Sequence, residues 1–311
     1  MNHEGCKRLR PVRRGYVLIA VLATIVLMVT VLASLSRLSL SRGLAAADAE
    51  RRLQQRMGAL SIEIALIKKA GSVFDEVEEA LPPGTRFPST MRTAVSFGGA
   101  TYDVLLADED SKANLNAIYH AVGGERCLET VRRTVGPVVA NSVRFLPAVA
   151  PMGFAGPDTE DDESLAPARP PAFRSWGEVF DLDRLTQVVG DDAALPVATE
   201  RLTCWGSGAV NMKRAKDEVI EAAAGCVLSS AGAKRLVSRY RENPTLGLTL
   251  LVQQEAKTEE ERRRLRTMLS EVSTHFSVWI DASTQGRRSQ RIYSVMRRLD
   301  DGTAVNERFA F

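Results

Sequence analysis

The sequence predicts an α+β fold: one long N-terminal helix, a small antiparallel sheet, and a large, mainly helical region set into that sheet. Three observations lead there. Residues 16–36 form 21 consecutive positions without a charge, and an amphipathic pattern follows them. Segments 92–97 and 101–107 alternate apolar and polar as strands do, and so do 275–282, 290–297 and 303–311 near the other end. Between those two groups, residues 117–270 read as helices.

The uncharged stretch is long enough to span a hydrocarbon core, since about 20 helical residues at roughly 1.5 Å each cover it. Lys7, Arg8, Arg10, Arg13 and Arg14 precede it against a single acid, Glu4. Only Arg37 and Arg42 follow closely, so the positive-inside rule places the N-terminus in the cytoplasm and residues beyond 37 outside it. The same leader accounts for the whole formal charge of +3, and the rest of the chain is close to neutral. A secretory signal cut near Ala45-Ala46-Ala47 is the rival reading, but the apolar run exceeds an h-region of roughly 7–15 residues and Arg37 and Arg42 interrupt the c-region.

From about residue 43, Leu53, Met57, Leu60, Ile64 and Ile67 recur at helical steps, with Glu50, Arg51, Arg52 and Arg56 on the other side. This predicts that the helix continues to about Ala70 and that Gly71 stops it. Pro82-Pro83-Gly84 reads as a turn, and Gly98-Gly99 as a hairpin tip between the first two strands. Asp300-Asp301-Gly302 reads as a second hairpin turn. Residues 147–171 hold 6 of the 13 prolines and the acidic run 158–163, which predicts an exposed, mobile loop.

Arg13-Arg14-Gly15 abuts the apolar run at Tyr16 with no spacer. This arrangement resembles the class III signal of type IV pilins and pseudopilins. The resemblance implies a prepilin peptidase cut between Gly15 and Tyr16, in the wake of basic Arg13 and Arg14, that leaves the apolar helix on the mature chain. A glycine suits such a cut because a Cβ would obstruct close approach to extended backbone. The fifth residue after it is Ala20, where most of the family has Glu. Within the family an apolar fifth residue marks the K-type minor pseudopilin of type II secretion (the general secretion pathway protein K family), whose position at the start of a filament leaves no terminal amine to neutralise.

Further stretches are similar to the same family. Asp108-Glu109-Asp110-Ser111-Lys112-Ala113-Asn114-Leu115-Asn116 matches its acidic turn followed by Lys-x-Asn-Leu-Asn. Ser175-Trp176-Gly177-Glu178 and Gly208-Ala209-Val210-Asn211-Met212-Lys213-Arg214-Ala215 match later stretches, although Lys213 replaces a second asparagine, and Arg239 to Pro244 closes a helix as the family does. The implied architecture is a pilin-like long N-terminal helix packed on a small antiparallel sheet, with a mainly helical domain inserted in the sheet. The expected segments are a cleaved cytoplasmic leader 1–15, a transmembrane helix 16–36, an amphipathic continuation 37–72, a first part of the sheet 73–111, an inserted domain 112–270 with its loop 147–171, and closing strands 271–311. The implied function is that of a minor pseudopilin at the tip of the type II secretion pseudopilus, initiating assembly and supporting protein export across the outer membrane. Its expected partners are other minor pseudopilins in a tip complex, the prepilin peptidase, the inner membrane, and secreted cargo or the outer-membrane secretin. The expected location is the inner membrane, single pass, with the C-terminal domain periplasmic.

Other chemistry finds little material. With three histidines (His3, His120, His275) and no Cys/His ligand spacing, neither zinc nor a His-based catalytic set is expected, and the chain is read as no enzyme. Asp108 and Asp110 alternate as calcium ligands do, but the glycine and distal glutamate of an EF-hand loop are missing, so no cofactor is expected beyond that open calcium question. Cys204 and Cys226 are one pairing that the three distal cysteines allow. Thr134 to Ala140 and Leu228 to Arg239 are similar to helix-hairpin-helix turns. Without a basic face they read as packing units, and no nucleic acid is expected. Two alternatives stand beside the leading reading: a minor pilin of a type IV pilus-like filament, and a membrane-anchored helix-hairpin-helix DNA-binding protein.

Overall fold

The structure, a computed structural model, describes residues 14–67, 69–82, 85–154, 169–190, 194–243, 245–284, 287–299 and 302–310. Arg13, Pro83-Gly84, the acidic run 158–163, Pro244 and Asp300-Asp301 lie outside them. Two units are distinguished, one up to Met57 and one from Gly58 to Phe311. The first consists of most of helix α1 (Arg14–Ile67), whose last ten positions belong to the second unit.

After α1 come α2 (Ala70–Ala80) and the strands β1 (Thr90–Phe97) and β2 (Ala100–Asp108). Then follow β3 (Ala113–Asn114), α3 (Leu115–Val122), α4 (Gly124–Val135), α5 (Pro137–Ala140), α6 (Trp176–Val179), α7 (Leu182–Val189) and α8 (Ala194–Ala198). The chain continues through β4 (Leu202–Thr203), β5 (Val210–Asn211), α9 (Asp217–Ala224), α10 (Ser230–Glu242), α11 (Leu248–Glu255), α12 (Glu259–Met268) and β6 (Leu269–Ser270). It ends with β7 (His275–Thr284), β8 (Arg287–Leu299) and β9 (Gly302–Ala310). The sheet runs β1-β2-β7-β8-β9 with every neighbouring pair antiparallel. β2 and β7 are adjacent in space, so everything between Asp108 and His275 is an insertion between two paired strands.

The β1–β2 turn shows why the glycines are there. Gly98 and Gly99 have φ of +60° and +76°, and Phe97 faces Ala100 directly across them. A two-residue connection with both central φ positive follows the twist of the strands, and side chains with a Cβ resist that conformation. Gly71 has another role. It does not end a helix: α1 stops at Ile67, and Gly71 is buried inside α2. A Cβ there would stand 3.0 Å from the Arg298 side chain, so the small residue admits a close approach of α2 to β8.

Alternation along the strands gives the sheet two different faces. Tyr102, Val104, Leu106, Phe276, Val278, Ile280 and Ile292 form one core with Ala59, Ala70 and Phe74, with Ile62 and Leu66 packed against it. Phe74 stacks on Phe276 at 5.5 Å. The opposite face carries a row across four strands, Leu105, Trp279, Tyr293 and Phe309. Onto it Trp205 docks from the insertion, 5.4 Å from Tyr293 and 5.3 Å from Trp176. The insertion has a core of its own that includes Leu115, Ile118, Val131, Phe180, Ile220 and Leu236.

Both helix-hairpin-helix-like stretches are spent on that core. Thr134, Val139, Ala233, Leu236 and Val237 are buried, Gly136 (φ +81°) turns α4 into α5, and Ser229 caps α10 by accepting the Gly232 N–H. The expected Cys204–Cys226 pair is not formed. Cys204 opens toward a cavity shared with Asn114 and Gly206, Cys226 toward a separate one shared with Arg126 and Arg133, and all the distal cysteines are thiols.

Candidate functional site

Asp108 to Asn116 forms the seam where the sheet meets the insertion. β2 delivers Asp108 at its end, a single 3-10 turn over Glu109–Ser111 reverses the chain, and Asn114 caps α3 by accepting the Ala117 N–H at 3.0 Å. The Asp108 carboxylate accepts from the Asp110 N–H (2.9 Å), the Ser273 hydroxyl (2.6 Å) and the Arg214 guanidinium (3.3 Å). Asp110 accepts from the Ser207 N–H and hydroxyl on one oxygen, and from the Thr274 and His275 N–H groups and the Thr274 hydroxyl on the other. Glu109 is buried and takes Lys112 Nζ and the Ser277 hydroxyl. Asn114 donates to the Trp205 carbonyl, and Asn116 donates to Phe173 and Cys204 carbonyls while accepting the Phe173 N–H.

The predicted turn residues therefore come together, and they act as a clamp. The seam holds β2 against the start of β7 and pins loops of the insertion to both. Its carboxylates do not suit calcium. Asp110 is filled by protein donors and Asp108 faces a guanidinium, whereas a hard cation needs several free oxygens. No cluster of three or more His, Cys, Asp or Glu able to hold a metal occurs among the described residues.

Burial dominates the electrostatics. It pushes the Asp108 carboxyl up to about 7, helped by nearby Asp110 and opposed by Ser273 and Arg214. Burial acts on Asp110 in the same direction, but hydrogen bonds from His275 and from the Ser207 and Thr274 N–H groups outweigh it and hold Asp110 below the usual range. Arg214 is nearly inaccessible and also reaches Glu78 and Asp75 on α2, with its guanidinium 4.9 Å from the Phe74 ring centre. Asp75 in turn receives Arg298 of β8 at 2.8 Å. Asn211 accepts the Lys213 N–H in a turn and donates to the Ser273 hydroxyl at 2.7 Å.

The second candidate site is α1 itself. Residues 16–50 are all exposed, including Tyr16 at 77%, Leu18 at 68% and Leu32 at 63%. Among the described residues one helix is long and apolar enough to cross a membrane, and it is this one. Three of its hydroxyls bond within the helix: Thr24 donates to the Ala20 carbonyl, Thr30 to Leu27 and Ser34 to Thr30. Gly15 and Tyr16 lie in its first turn, and Ala20 is exposed on it. Within the second unit, the end of α1 lies on the sheet through Ala59, Ile62 and Leu66, and Ile64 stays 56% exposed.

The long helix, the antiparallel sheet and the mainly helical insertion are the architecture expected from the sequence. Among solved structures the chain is similar to the GspK-GspI-GspJ complex from the type 2 secretion system of enterotoxigenic Escherichia coli, at 16% identity and a TM-score of 0.41, with 84% of this chain and 99% of that chain covered. No family model and no curated protein matches the sequence.

The roles of three residues of the second unit escaped sequence reasoning. Glu63 interrupts the apolar face of α1, yet it is fully buried and accepts from the Ser294 hydroxyl and the Arg308 guanidinium. Gly58 lies against Tyr102, whose hydroxyl stands 2.1 Å from where a Cβ would be. Arg214 sits 106 positions from Asp108. None of the three belongs to a local pattern.

Proposed function

We propose that this chain is a minor pseudopilin of a type II secretion pseudopilus, made as a precursor, cut after Gly15 and held in the inner membrane by the apolar part of α1. One observation carries this reading. A single helix begins at the Arg14-Gly15-Tyr16 junction, stays uncharged over 16–36, and ends packed on an antiparallel sheet. A filament subunit needs that combination: a segment soluble in lipid before assembly, continuous with a rigid mount for the folded part. Small residues Ala20, Ala23 and Ala33 permit close helix–helix approach in the membrane. The exposed side chains Leu53 (60%), Met57 (54%) and Ile64 (56%) supply apolar contact for partner minor pseudopilins beyond it.

The tip position follows from Ala20 and from the insertion. Without a carboxylate at mature position five, the chain has no group to neutralise the terminal amine of a preceding subunit, so it stands first and initiates assembly. The inserted domain adds bulk that a filament lattice would not accommodate and that the end of a filament accepts, where it meets cargo or the outer-membrane secretin.

The decisive experiment is the intact mass and N-terminal residue of the chain isolated from its host membranes. A chain beginning at Tyr16 supports the reading. A chain beginning near Asp48, or an uncut Met1, overturns it. Replacing Gly15 with Val, whose branched Cβ obstructs close backbone approach, is expected to block maturation and secretion together. Normal processing of that variant would contradict the assignment. Deleting the gene and asking whether secretion or a surface pilus is lost separates the pseudopilus from the pilus.

A further inference from the structure

The insertion contains two thiols, from distant parts of the chain, that the fold brings into one apolar cluster. Cys127 is fully buried on the inner face of α4, and its Sγ lies 3.9 Å from the Leu115 carbonyl. Cys226 follows the last turn of α9, with its Sγ 3.4 Å from the Ala222 carbonyl. The residues preceding the two cysteines touch directly, Arg126 Nη2 donating to the Gly225 carbonyl at 3.4 Å. Helices α4 and α9 pack together, and both cysteines belong to the same apolar cluster. Cys226 also lines a cavity of about 200 Å³ together with Arg126 and Arg133.

We propose that Cys127 and Cys226 form a disulfide bond that staples α4 to the end of α9. The inference rests on the reading above that this part of the chain folds outside the cytoplasm, where a dithiol–disulfide exchange protein serves as oxidant. The thiolate of Cys226 attacks one sulfur of the oxidant's disulfide. An S–S bond forms to Cys226 and the oxidant's other sulfur leaves as a thiolate. Cys127 then attacks Cys226 Sγ, closing the protein disulfide and releasing the oxidant as a dithiol. Two electrons pass to the oxidant, and the protons of the two cysteines end on its thiols.

In the finished fold Cys226 is the more accessible of the two sulfurs and Cys127 is buried. Cys226 borders the cavity and has Arg126 and Arg133 favouring its thiolate, though burial still pushes it up to about 12. Burial pushes Cys127 further up, and the neighbouring Cys226 adds to this. Thiols held so far from ionisation react slowly in the finished fold, so the bond forms while the insertion is still closing. It closes a loop of about 100 residues, a size at which a cross-link removes much of the unfolded chain's freedom.

The test is thiol trapping on the full chain. Protein from host membranes is alkylated under denaturing conditions and mapped by mass spectrometry, and protease is added to spheroplasts in parallel. If the insertion is digested from outside, a peptide pair joined through Cys127 and Cys226, with Cys204 alkylated, supports the proposal. Alkylation of both Cys127 and Cys226, or a Cys204–Cys226 link, overturns it. If the insertion is protected from protease, the export reading fails. The pairing is then decided by refolding the purified chain from denaturant in a glutathione redox buffer, where the same link supports it and any other outcome overturns it. C226S provides a second readout. It is expected to lower the melting temperature relative to the parent chain in the oxidised state, with the gap shrinking once a reductant is added. A gap unchanged by reductant would mean that Cys226 only packs.

Discussion

Asp108 combines full burial with a nearby guanidinium, and its titration carries a definite sign. The carboxyl is raised from 3.8 to about 7, so the folded chain binds this proton more tightly than the unfolded one. Its contribution to stability is complete below about 4 and is lost as pH rises through about 7. In detergent, the chain is therefore expected to unfold at higher denaturant concentration at pH 5 than at pH 8. Asp108→Asn should flatten that dependence, and a variant with the parent's slope would show that another group is responsible. Asp110 runs the opposite way, contributing stability above the ordinary carboxylate range that is lost in stronger acid. The acidic turn was visible in the sequence because Asp, Ser and Asn cluster at a strand end. Its meaning was not, because the partners Arg214, Ser273 and Thr274 come from more than a hundred positions downstream. No local pattern encodes a contact of that span.

Among the elements, α1 separates what periodicity can show from what it cannot. Its length and its uncharged first half follow from composition. The stripe Leu53, Met57, Leu60, Ile64 and Ile67 is divided: Ile67 packs against the sheet's core and Leu60 is half-buried, while Leu53, Met57 and Ile64 stay more than half exposed. The packed face uses Ala59, Ile62, Leu66 and the buried carboxylate of Glu63, and a glutamate in such a face reads as solvent-facing until its partner Arg308 on β9 is known. Gly58 sharpens the point. Alanine is the better helix former by about 1 kcal/mol, so propensity alone predicts that Gly58→Ala stabilises. The Tyr102 ring blocks that space, and forcing a methyl into a packed contact costs about 1–3 kcal/mol. The expected result is net destabilisation in a denaturant titration, recovered when Tyr102 is also shortened to Leu. A Gly58→Ala chain more stable than its parent would mean that α1 rides higher on the sheet than described.

For the second unit as a whole, the sheet and the insertion have cores of their own and meet at the Asp108 seam, at the Arg214 pairs with α2 and at the Trp205 contact with Tyr293. The expectation of early and late strands enclosing helices was legible because alternation brackets a helical pattern. The strand order was not, because nothing in the alternation says that β7 lies between β2 and β8. A chain stopped after Thr274 loses β7, β8 and β9 but keeps the insertion's own core. Hydrogen exchange is expected to show fast exchange in 102–108 and persistent protection in α4, α9 and α10. Loss of protection throughout would mean that the insertion depends on the sheet.

The β2–β7 pairing also governs timing. Tyr102 finds Ala282 about 180 positions later, a separation that makes loop closure slow, while an isolated two-stranded hairpin is marginal in water. As the chain is synthesised from its N-terminus, β1–β2 must wait half-built through the synthesis of the whole insertion. For that interval the edge of β2 is open to any passing strand. The last stretch of the polypeptide, β7 to β9, thus decides when the sheet is complete.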